Sequence, residues 1–254
     1  MQCSECGLGR TEASGFNPGA YYTEAYFSGR YADGYADYLG AEPVLRREFA
    51  RTLDFIRKFR RNGRLLELGC AYGFFLMEAS RYFEVAGIEL AVDAVVYGRR
   101  AGLNVLHGMA DAATLQAVGP VDVIVLLDVV EHLPQPRETL ELCRRQLKAG
   151  GIIVITTGDF GSPIAKLAGA KWRLMTPPQH LWFFTQESMR RLAGGLELEF
   201  EHLDHPWKIV PGSLILFQLR RMLGMRPANM AYAGLGIPVN LFDAMRVVLR
   251  KAPQ

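Results

Sequence analysis

Short apolar runs alternate with amphipathic segments between residues 64 and 158, and this alternation constrains the fold more than any other feature of the chain. The predicted strands are "RLLELG", "EVAGIEL", "LNVLHG", "VDVIVLL" and "IIVITTG", and the predicted helices between them include "FFLMEASRYF" and "PRETLELCRRQLKAGG". Strands that are apolar along their whole length are typical of a parallel sheet with helices on both faces. The sequence therefore predicts a doubly wound α/β fold.

Outside this region the pattern changes, and we divide the chain into three segments. Residues 1–42 are a Tyr-rich cap with one Cys-x-x-Cys pair, and the spacing of Tyr22/Tyr26 and of Tyr31/Tyr35/Tyr38 predicts short helical pieces there. Residues 43–205 form the core, which opens with a helix from Pro43 to the "NG" at 62–63. Residues 206–254 are predicted to add an insertion and a last strand, "LFDAMRVVLRKA", to the same domain.

The composition excludes several classes of protein. Half of the residues are hydrophobic and 22% are charged, so a sizeable core is expected, and a net charge of +3 gives little reason to expect a nucleic-acid partner. We see no signal-peptide h-region and no apolar run of about 18 residues, so no stable membrane insertion is expected. Four cysteines in 254 residues do not suggest a disulfide framework. We therefore expect a cytoplasmic protein.

The segment "LLELGCAYGFFL" joins the first of these strands to a glycine loop and then to a helix, an arrangement that binds ligands at a helix N-terminus. A dinucleotide-binding loop needs G-x-G-x-x-G, but Ala71 and Phe74 stand where its second and third glycines belong. Glu67, just before the loop, would repel a pyrophosphate and would suit a cationic cofactor. Glu89 follows Gly69 by 20 residues, at the tip of the second strand, where a carboxylate can accept ribose hydroxyls. S-adenosylmethionine, with its ammonium and sulfonium, fits this pattern best.

On these motifs, residues of about 60–160 resemble a class I S-adenosylmethionine-dependent methyltransferase, with "LLELGCAYG", "GIEL", "GMAD" and "VDVIVLLDVVEHLPQP" as its four motifs. The resemblance implies a seven-stranded, mostly parallel sheet in the order 3-2-1-4-5-7-6, with the last strand antiparallel. Downstream, "WRLMTPPQHLWFFTQESMRRL" and "PVNLFDAMRVVLRK" are similar to blocks of small-molecule methyltransferases. The implied acceptor is therefore a sugar, lipid, quinone or natural-product intermediate, and residues 206–239 would help to wall its site.

The resemblance also implies which residues bind the cofactor. The glycine loop should surround the methionine and ribose, Glu89 should hold the ribose hydroxyls, and the segment after the third strand should edge the adenine. The implied set is Glu67, Gly69, Cys70, Ala71, Gly73, Phe74, Glu89, Leu90, Met109, Ala110, Asp111 and Asp128.

The stretch "DVVEHLP" at the end of the fourth strand has three interpretations. It can have a structural role, lining the cofactor without taking part in the chemistry. It can supply a base, since an oxygen nucleophile must lose a proton and histidine is the usual acceptor of it, with His132 and His180 as the candidates. It can also hold a divalent metal through Asp128, Glu131, His132 and His180, as in two similar branches of the family, the quinone-biosynthesis O-methyltransferases and the small-RNA 3′-end methyltransferases. Those branches begin the motif with Glu where this chain has Asp128, so we predict no metal here.

Other interpretations stay open. Cys3 and Cys6 resemble one knuckle of a zinc ribbon, but no nearby Cys or His completes four ligands, so we predict no zinc at this pair. The alternatives to a small-molecule methyltransferase are a dinucleotide-dependent oxidoreductase, a catalytically inactive S-adenosylmethionine-binding partner protein and an RNA methyltransferase. Whether oxygen, nitrogen or carbon is methylated, and the oligomeric state, are left open.

Overall fold

A computed structural model describes residues 1–12, 15–28, 30–31, 35, 37–222, 225 and 234–253 of the chain, and of residues 221 and 222 it describes the backbone alone. The helices are α1 (Pro18–Tyr21), α2 (Glu24–Phe27), α3 (Glu42–Ile56), α4 (Phe74–Ala79), α5 (Val92–Arg100), α6 (Ala112–Val118), α7 (Pro136–Gln146), α8 (Pro163–Ala168), α9 (Gln186–Gly194) and α10 (Gly212–Met222). The strands are β1 (Gly9–Arg10), β2 (Gly63–Leu68), β3 (Phe83–Glu89), β4 (Val105–His107), β5 (Val121–Leu127), β6 (Leu147–Gly158), β7 (Trp182–Phe183), β8 (Leu198–Asp204), β9 (Lys208–Pro211), β10 (Gly236–Val239) and β11 (Ala244–Lys251).

One large sheet organises the described part of the chain. Its seven strands lie in the order β4-β3-β2-β5-β6-β11-β8. Strands β2 to β6 are parallel, and β11 runs antiparallel to both of its neighbours. Numbered by their sequence within this sheet, the strands have the order 3-2-1-4-5-7-6. The predicted fold class is therefore confirmed, including the antiparallel last strand.

The buried strands explain why helices cover both faces of the sheet. Successive residues of a strand point to opposite faces. Leu66 and Leu68 accordingly pack into one hydrophobic core and Leu65 into another. Central strand β5 is buried from Val121 to Leu126, so it contributes to both cores. This double burial is what the uninterrupted apolar runs predicted.

The cap packs over the carboxyl edge of the sheet through aromatic rings. Phe27 lies edge-on to Tyr72 with ring centroids 5.2 Å apart, and Tyr38 stacks on Phe74 at 5.4 Å. The predicted helical pieces are partly confirmed, because α1 and α2 are single turns around Tyr22 and Tyr26. The piece expected from the spacing of Tyr31, Tyr35 and Tyr38 falls mostly on residues 32–34 and 36, outside the described residues.

Two boundaries differ from the sequence expectation. Helix α3 ends at Ile56, because the following residues form tighter turns in which the amide of Phe59 donates to the carbonyl of Ile56. Arg57, Lys58, Arg60 and Arg61 therefore follow this helix instead of occupying its last turn. Helix α7 ends at Gln146, and the "LKAGG" assigned to it belongs to β6, whose Leu147 pairs with Val121. Pairing of β6 with β5 outweighs the helical pattern here.

In the insertion after residue 205, β9 and β10 pair antiparallel, and α10 belongs to the connection between them. We call this strand pair the β9–β10 hairpin. The hairpin is tied to α3 by the amide of Ile209, which donates to Glu48 Oε2 at 2.7 Å. Among the described residues, no helix has both the length and the apolar character needed to cross a bilayer. The segment boundaries at 42/43 and 205/206 stay predictions.

Candidate active site

The glycine loop between β2 and α4 has a backbone that few residue types adopt. Gly69 (φ 68°) and Gly73 (φ 81°) are left-handed, and so is Ala71 at φ 45°. A Cβ on Gly69 would lie 2.7 Å from Val129 Cγ2, so the loop passes too close to the end of β5 for any side chain. A non-glycine residue in this conformation is costly and is typical of functional sites.

Glu89 ties the glycine loop to the end of β3. Its Oε2 accepts the amide of Ala71, and its Oε1 accepts the amides of Leu90 and Ala91, each at 2.8 Å. Burial raises the pKa of this carboxyl, and the three amide donors partly offset that effect. Glu89 is thus fixed at the place predicted for the ribose hydroxyls.

A cavity of about 180 Å³ lies beyond the carboxyl ends of β2, β3 and β5. It runs from the residues predicted at the adenine, past Glu89 and the glycine loop, to the end of β5. Most of the predicted cofactor residues line it, namely Glu67, Gly69, Cys70, Ala71, Glu89, Leu90, Met109, Ala110 and Asp128. Glu67 is buried, its Oε2 has no hydrogen-bond partner among the described residues, and burial raises its pKa well above the usual range.

Three predicted cofactor residues do not line this cavity. Phe74 is fully buried and packs beneath the cap, while its neighbour Phe75 reaches the cavity wall. Gly73 is the residue from which α4 starts. Asp111 caps α6 by accepting the amide of Thr114 at 2.8 Å, which turns its carboxylate away from the cleft. The geometry therefore gives these three positions structural roles.

The cap supplies cavity residues that sequence reasoning left unassigned. The rings that line the cofactor cavity belong to Tyr22, Tyr26, Phe27, Tyr35 and Tyr38 of the cap and to Phe49 of α3. The Tyr-rich composition indicated a lid over the cleft. It did not indicate which rings face the cavity, because those positions depend on how the cap packs.

A second cavity of about 320 Å³ lies beside the first, walled by α3, the β9–β10 hairpin, α10 and the loop around His180. The two cavities share one set of lining residues, Tyr26, Tyr35, Phe49, Leu127, Asp128 and His132. We call this set the junction. A cofactor in the first cavity and a second molecule in the other would meet there.

The two predicted catalytic histidines are neighbours, with ring centroids 4.6 Å apart. His132 Nδ1 lies 2.9 Å from the carbonyl of Gln179, and His180 Nδ1 lies 2.7 Å from the carbonyl of Leu174. Because a carbonyl only accepts, a hydrogen bond to it requires the proton on Nδ1 of each ring, and each Nε2 of a neutral ring then offers a lone pair. The hydroxyl of Tyr22 also lies 2.9 Å from His132 Nδ1, and with the proton on Nδ1 it is a second acceptor. Burial lowers the pKa of both rings, that of His180 to about 3, so both are neutral at pH 7. The structure therefore brings together the two candidate bases in the form that accepts a proton.

Glu131 stands beside these two rings. Its carboxyl is buried, and Oε2 finds no partner in the described part of the chain. Burial, with the nearby charge of Asp128, raises its pKa to about 8. One ligand atom each of Glu131, His132 and His180 lies within 4.8 Å of the others. An unpartnered carboxyl oxygen next to two rings fixed through Nδ1 fits a divalent metal with three protein ligands.

Asp128, the fourth residue of the predicted metal set, is engaged elsewhere. Its backbone is left-handed (φ 55°), and its Oδ1 accepts the hydroxyl of Thr156 at 2.9 Å. Lys208 Nζ, from the β9–β10 hairpin, contacts Oδ1 at 3.0 Å and Oδ2 at 2.8 Å. Desolvation inside the cleft would by itself raise the pKa of Asp128, but Lys208 and Thr156 hold it below its usual value. Sequence reasoning missed Lys208, which lies 80 residues further along the chain.

The N-terminal Cys-x-x-Cys pair lies apart from this cluster. The amide of Gly7 donates to the carbonyl of Cys3 at 3.0 Å, and Thr185 Oγ1 donates to the carbonyl of Cys6 at 2.6 Å. Neither thiol belongs to a group of three possible metal ligands within the described residues. Of the other cysteines, Cys70 lines the cofactor cavity and Cys143 is buried in the core.

The sheet order and the cleft at the carboxyl ends of β2, β3 and β5 define a class I methyltransferase fold. A family model described as a methyltransferase domain matches residues 42–203, and the chain belongs to this family. The predicted methyltransferase family is thereby confirmed.

Named relatives and solved structures agree with this assignment. The chain is 31% identical over 144 residues to a ubiquinone biosynthesis O-methyltransferase of Caulobacter vibrioides, covering 52% of this chain and 57% of the relative. It is 29% identical over 170 residues to the protein of the same name from another Caulobacter species, covering 56% of this chain and 68% of the relative. The chain thus spans little more than half the length of the first of these relatives.

The solved structures show the fold. A SAM-dependent methyltransferase from Archaeoglobus fulgidus superposes with a TM-score of 0.56 at 19% identity, covering 80% of this chain and 92% of that one. A magnesium protoporphyrin IX methyltransferase from Synechocystis with bound SAH gives a TM-score of 0.53 at 9% identity, covering 82% and 84%.

Proposed function

We propose that this protein transfers a methyl group from S-adenosylmethionine to an oxygen of a small-molecule acceptor. The observation that carries the proposal is the junction, where a cofactor cavity with family motifs meets a second cavity at Asp128 and His132. Methyl transfer is an in-line displacement, so an enzyme must above all hold nucleophile and sulfonium in line. Two cavities that meet at one small set of residues supply that arrangement.

Residues of the first cavity would each bind one part of the cofactor. Leu90, Met109 and Ala110 would contact the adenine, and Glu89 the ribose hydroxyls. The glycine loop would hold the methionine part, with Glu67 and Asp128 as the carboxyl groups nearest to its positive charges. The neutral cap rings would close over it and exclude water.

When bound, S-adenosylmethionine would supply the methyl group that the acceptor oxygen takes, and S-adenosylhomocysteine would be released with the electron pair of the broken carbon–sulfur bond. The proton of the acceptor hydroxyl passes to Nε2 of His132 or His180, since both rings are neutral with that nitrogen unprotonated. His132 lines both cavities and His180 only the second, so both are placed on the acceptor side.

The kind of acceptor is inferred from the relatives and the second cavity. The relatives are named for ubiquinone biosynthesis and for O-methylation. The second cavity combines an apolar wall, including Leu214 and Ile215 of α10, with a polar end at Glu131, His180 and Arg173. A hydroxylated molecule with an apolar portion suits it, and a quinone, lipid, sugar or natural-product intermediate stays within our prediction.

We expect no nucleic-acid partner and, with four unpaired cysteines, a cytoplasmic location.

A second form of the mechanism uses a metal, and the unpartnered Oε2 of Glu131 favours it. Glu131, His132 and His180 would then hold a divalent cation. When bound, such an ion lowers the pKa of an acceptor hydroxyl. Activity that survives exhaustive chelation would exclude this form and leave the histidines as bases.

Cofactor binding is tested by titrating the protein calorimetrically with S-adenosylhomocysteine and, separately, with NAD. We expect S-adenosylhomocysteine to bind and NAD to give no heat of binding, and binding of NAD alone would establish the oxidoreductase alternative. Methyl transfer is tested by incubating the protein with methyl-labelled S-adenosylmethionine and a fractionated small-molecule extract. Cofactor binding without transfer to any fraction would favour the inactive partner protein.

A further inference from the structure

The junction already contains a positive charge of the protein's own. Lys208 Nζ contacts both carboxylate oxygens of Asp128, at 3.0 and 2.8 Å. The pair is not sealed from solvent, because the Asp128 side chain is 45% exposed and faces both cavities. A second cation that enters the cofactor cavity can therefore reach the same carboxylate.

The sheet order places that carboxylate at the charged end of the cofactor. Strand β2 lies between β3 and β5, so Glu89 and Asp128 stand on opposite sides of the glycine loop. With the ribose at Glu89, the methionine part extends toward Asp128. The sulfonium and the ammonium of the cofactor both belong to that part.

Three positive charges would then meet at one ionised carboxylate. Like charges a few ångströms apart repel each other at the effective dielectric constant of a protein surface. Glu67, the other carboxyl group at this end, is buried, and its Oε2 has no partner among the described residues. Burial raises its pKa, so it is hard to ionise. Lys208 and the cofactor therefore compete for Asp128.

We propose that Lys208 is the resident counter-ion of Asp128 in the cofactor-free protein, and that the cationic methionine end of S-adenosylmethionine displaces it into the acceptor cavity. The inference rests on the proposed function, because it assumes that this cleft binds S-adenosylmethionine. The exchange needs only a lysine side-chain rotation, since the hairpin stays anchored through Ile209 and Glu48. Lys208 already lines the acceptor cavity, so its displaced ammonium would face the acceptor.

Lys208 would then set which form of the cofactor binds best. The ammonium of Lys208 weakens the binding of a ligand in proportion to the positive charge that the ligand brings near Asp128. S-adenosylmethionine and S-adenosylhomocysteine share an ammonium and an α-carboxylate, and only S-adenosylmethionine adds the positive sulfonium. 5′-Methylthioadenosine has none of these charged groups. Removing Lys208 should therefore change the affinities for the three ligands by different factors, and not by one common factor.

The test is calorimetric titration of the wild-type protein and of Lys208→Met with these three compounds. We expect Lys208→Met to bind S-adenosylmethionine at least about fivefold more tightly, S-adenosylhomocysteine with a smaller gain, and 5′-methylthioadenosine unchanged. Lys208→Arg should keep the wild-type ranking, because it restores the charge. Circular dichroism of each variant establishes that it is folded.

A matched control is Lys148→Met. Lys148 Nζ lies 2.8 Å from Asp122 Oδ2, the same length as the contact to Asp128 Oδ2, but at the opposite end of β5. We expect this variant to leave all three affinities unchanged. Equal shifts of all three ligands in Lys208→Met, or weaker binding of S-adenosylmethionine, would overturn the counter-ion role. Failure of the wild-type protein to bind any of the three would instead overturn the proposed function.

Discussion

Glu89 is the side chain on which the cofactor site depends most directly. Its two oxygens accept three backbone amides that hold the glycine loop and the end of β3 together. In Glu89→Gln one of the two acceptor oxygens becomes an NH2 group, which cannot accept, and hydrogen bonds to a charged group contribute about 1.5–3 kcal/mol each. We expect the Kd for S-adenosylhomocysteine to rise about tenfold or more, measured by calorimetry. Glu84→Gln, an exposed position on the same strand, should bind like wild type, and equal binding by both variants would contradict the role of Glu89.

His180 is expected to act on turnover and not on cofactor affinity. It lines the second cavity but not the first, and its Nε2 offers the lone pair that would take the acceptor proton. General-base contributions are typically about a hundredfold or more, so His180→Ala should lower kcat by that order. The measurement is transfer of labelled methyl to the acceptor identified from the extract, with titration of S-adenosylhomocysteine as the parallel readout. His202→Ala, which removes a ring tilted against those of Phe55 and Phe59, is the control. Unchanged turnover in His180→Ala would remove His180 from the mechanism.

Strand β5 is held at its beginning by a charged cluster. The buried Asp122 accepts from the amide of Arg64 and pairs with Arg60 and Lys148. Burial opposes its ionisation, but these partners outweigh burial and lower its pKa below the usual value. A carboxylate with a lowered folded-state pKa stabilises the fold above its unfolded pKa of about 3.9, and that contribution is lost as the pH falls through the folded value.

Asp122→Asn should therefore lower the free energy of unfolding by about 2 kcal/mol at pH 7. The difference from wild type should shrink below about pH 4, where the wild-type carboxylate is itself being protonated. Urea denaturation of the wild-type protein and the variant, at pH 7 and again below about pH 4, measures the difference in the free energy of unfolding and its decrease. Asp54→Asn, at an exposed ion pair with Arg57, should have little effect at either pH. A loss of stability independent of pH would show that Asp122 acts by packing alone.

The elements themselves were predictable where burial sets the pattern. Strands β2, β3, β5 and most of β6 are apolar because both faces are covered, so they could be read directly from the sequence. The end of α3 and the start of β6 could not, since each is decided by partners distant in sequence. Arg60 forms an ion pair with Asp122, and Leu147 of β6 pairs with Val121 of β5. Local periodicity contains no information about either partner.

The candidate site shows the same division between local and distant information. The glycine loop, Glu89 and the end of β5 follow from short motifs whose residues adjoin strand ends, and these positions line the cofactor cavity. Phe74 and Asp111 do not line it, because a motif gives the position of a residue along the chain but not the direction of its side chain. The cap rings and Lys208 reach the site only through tertiary packing, across 80 residues in the case of Lys208 and Asp128. Short sequence motifs therefore gave no indication that three of the six junction residues, Tyr26, Tyr35 and Phe49, line both cavities.

The cap and the core should respond to the cofactor as one unit, because rings from both line the same cavity. We expect S-adenosylhomocysteine to slow amide hydrogen exchange in the glycine loop at 69–73, at the end of β3 near Glu89, and in cap residues 18–28. Residues 121–123, at the amino end of β5, are the internal control, because they lie at the opposite edge of the sheet and should exchange at the same rate with and without ligand. Mass spectrometry of peptides after timed exchange gives the rates. Protection of the loop and β3 without any change in the cap would mean that the tyrosine rings pack against the core but do not close over the cofactor.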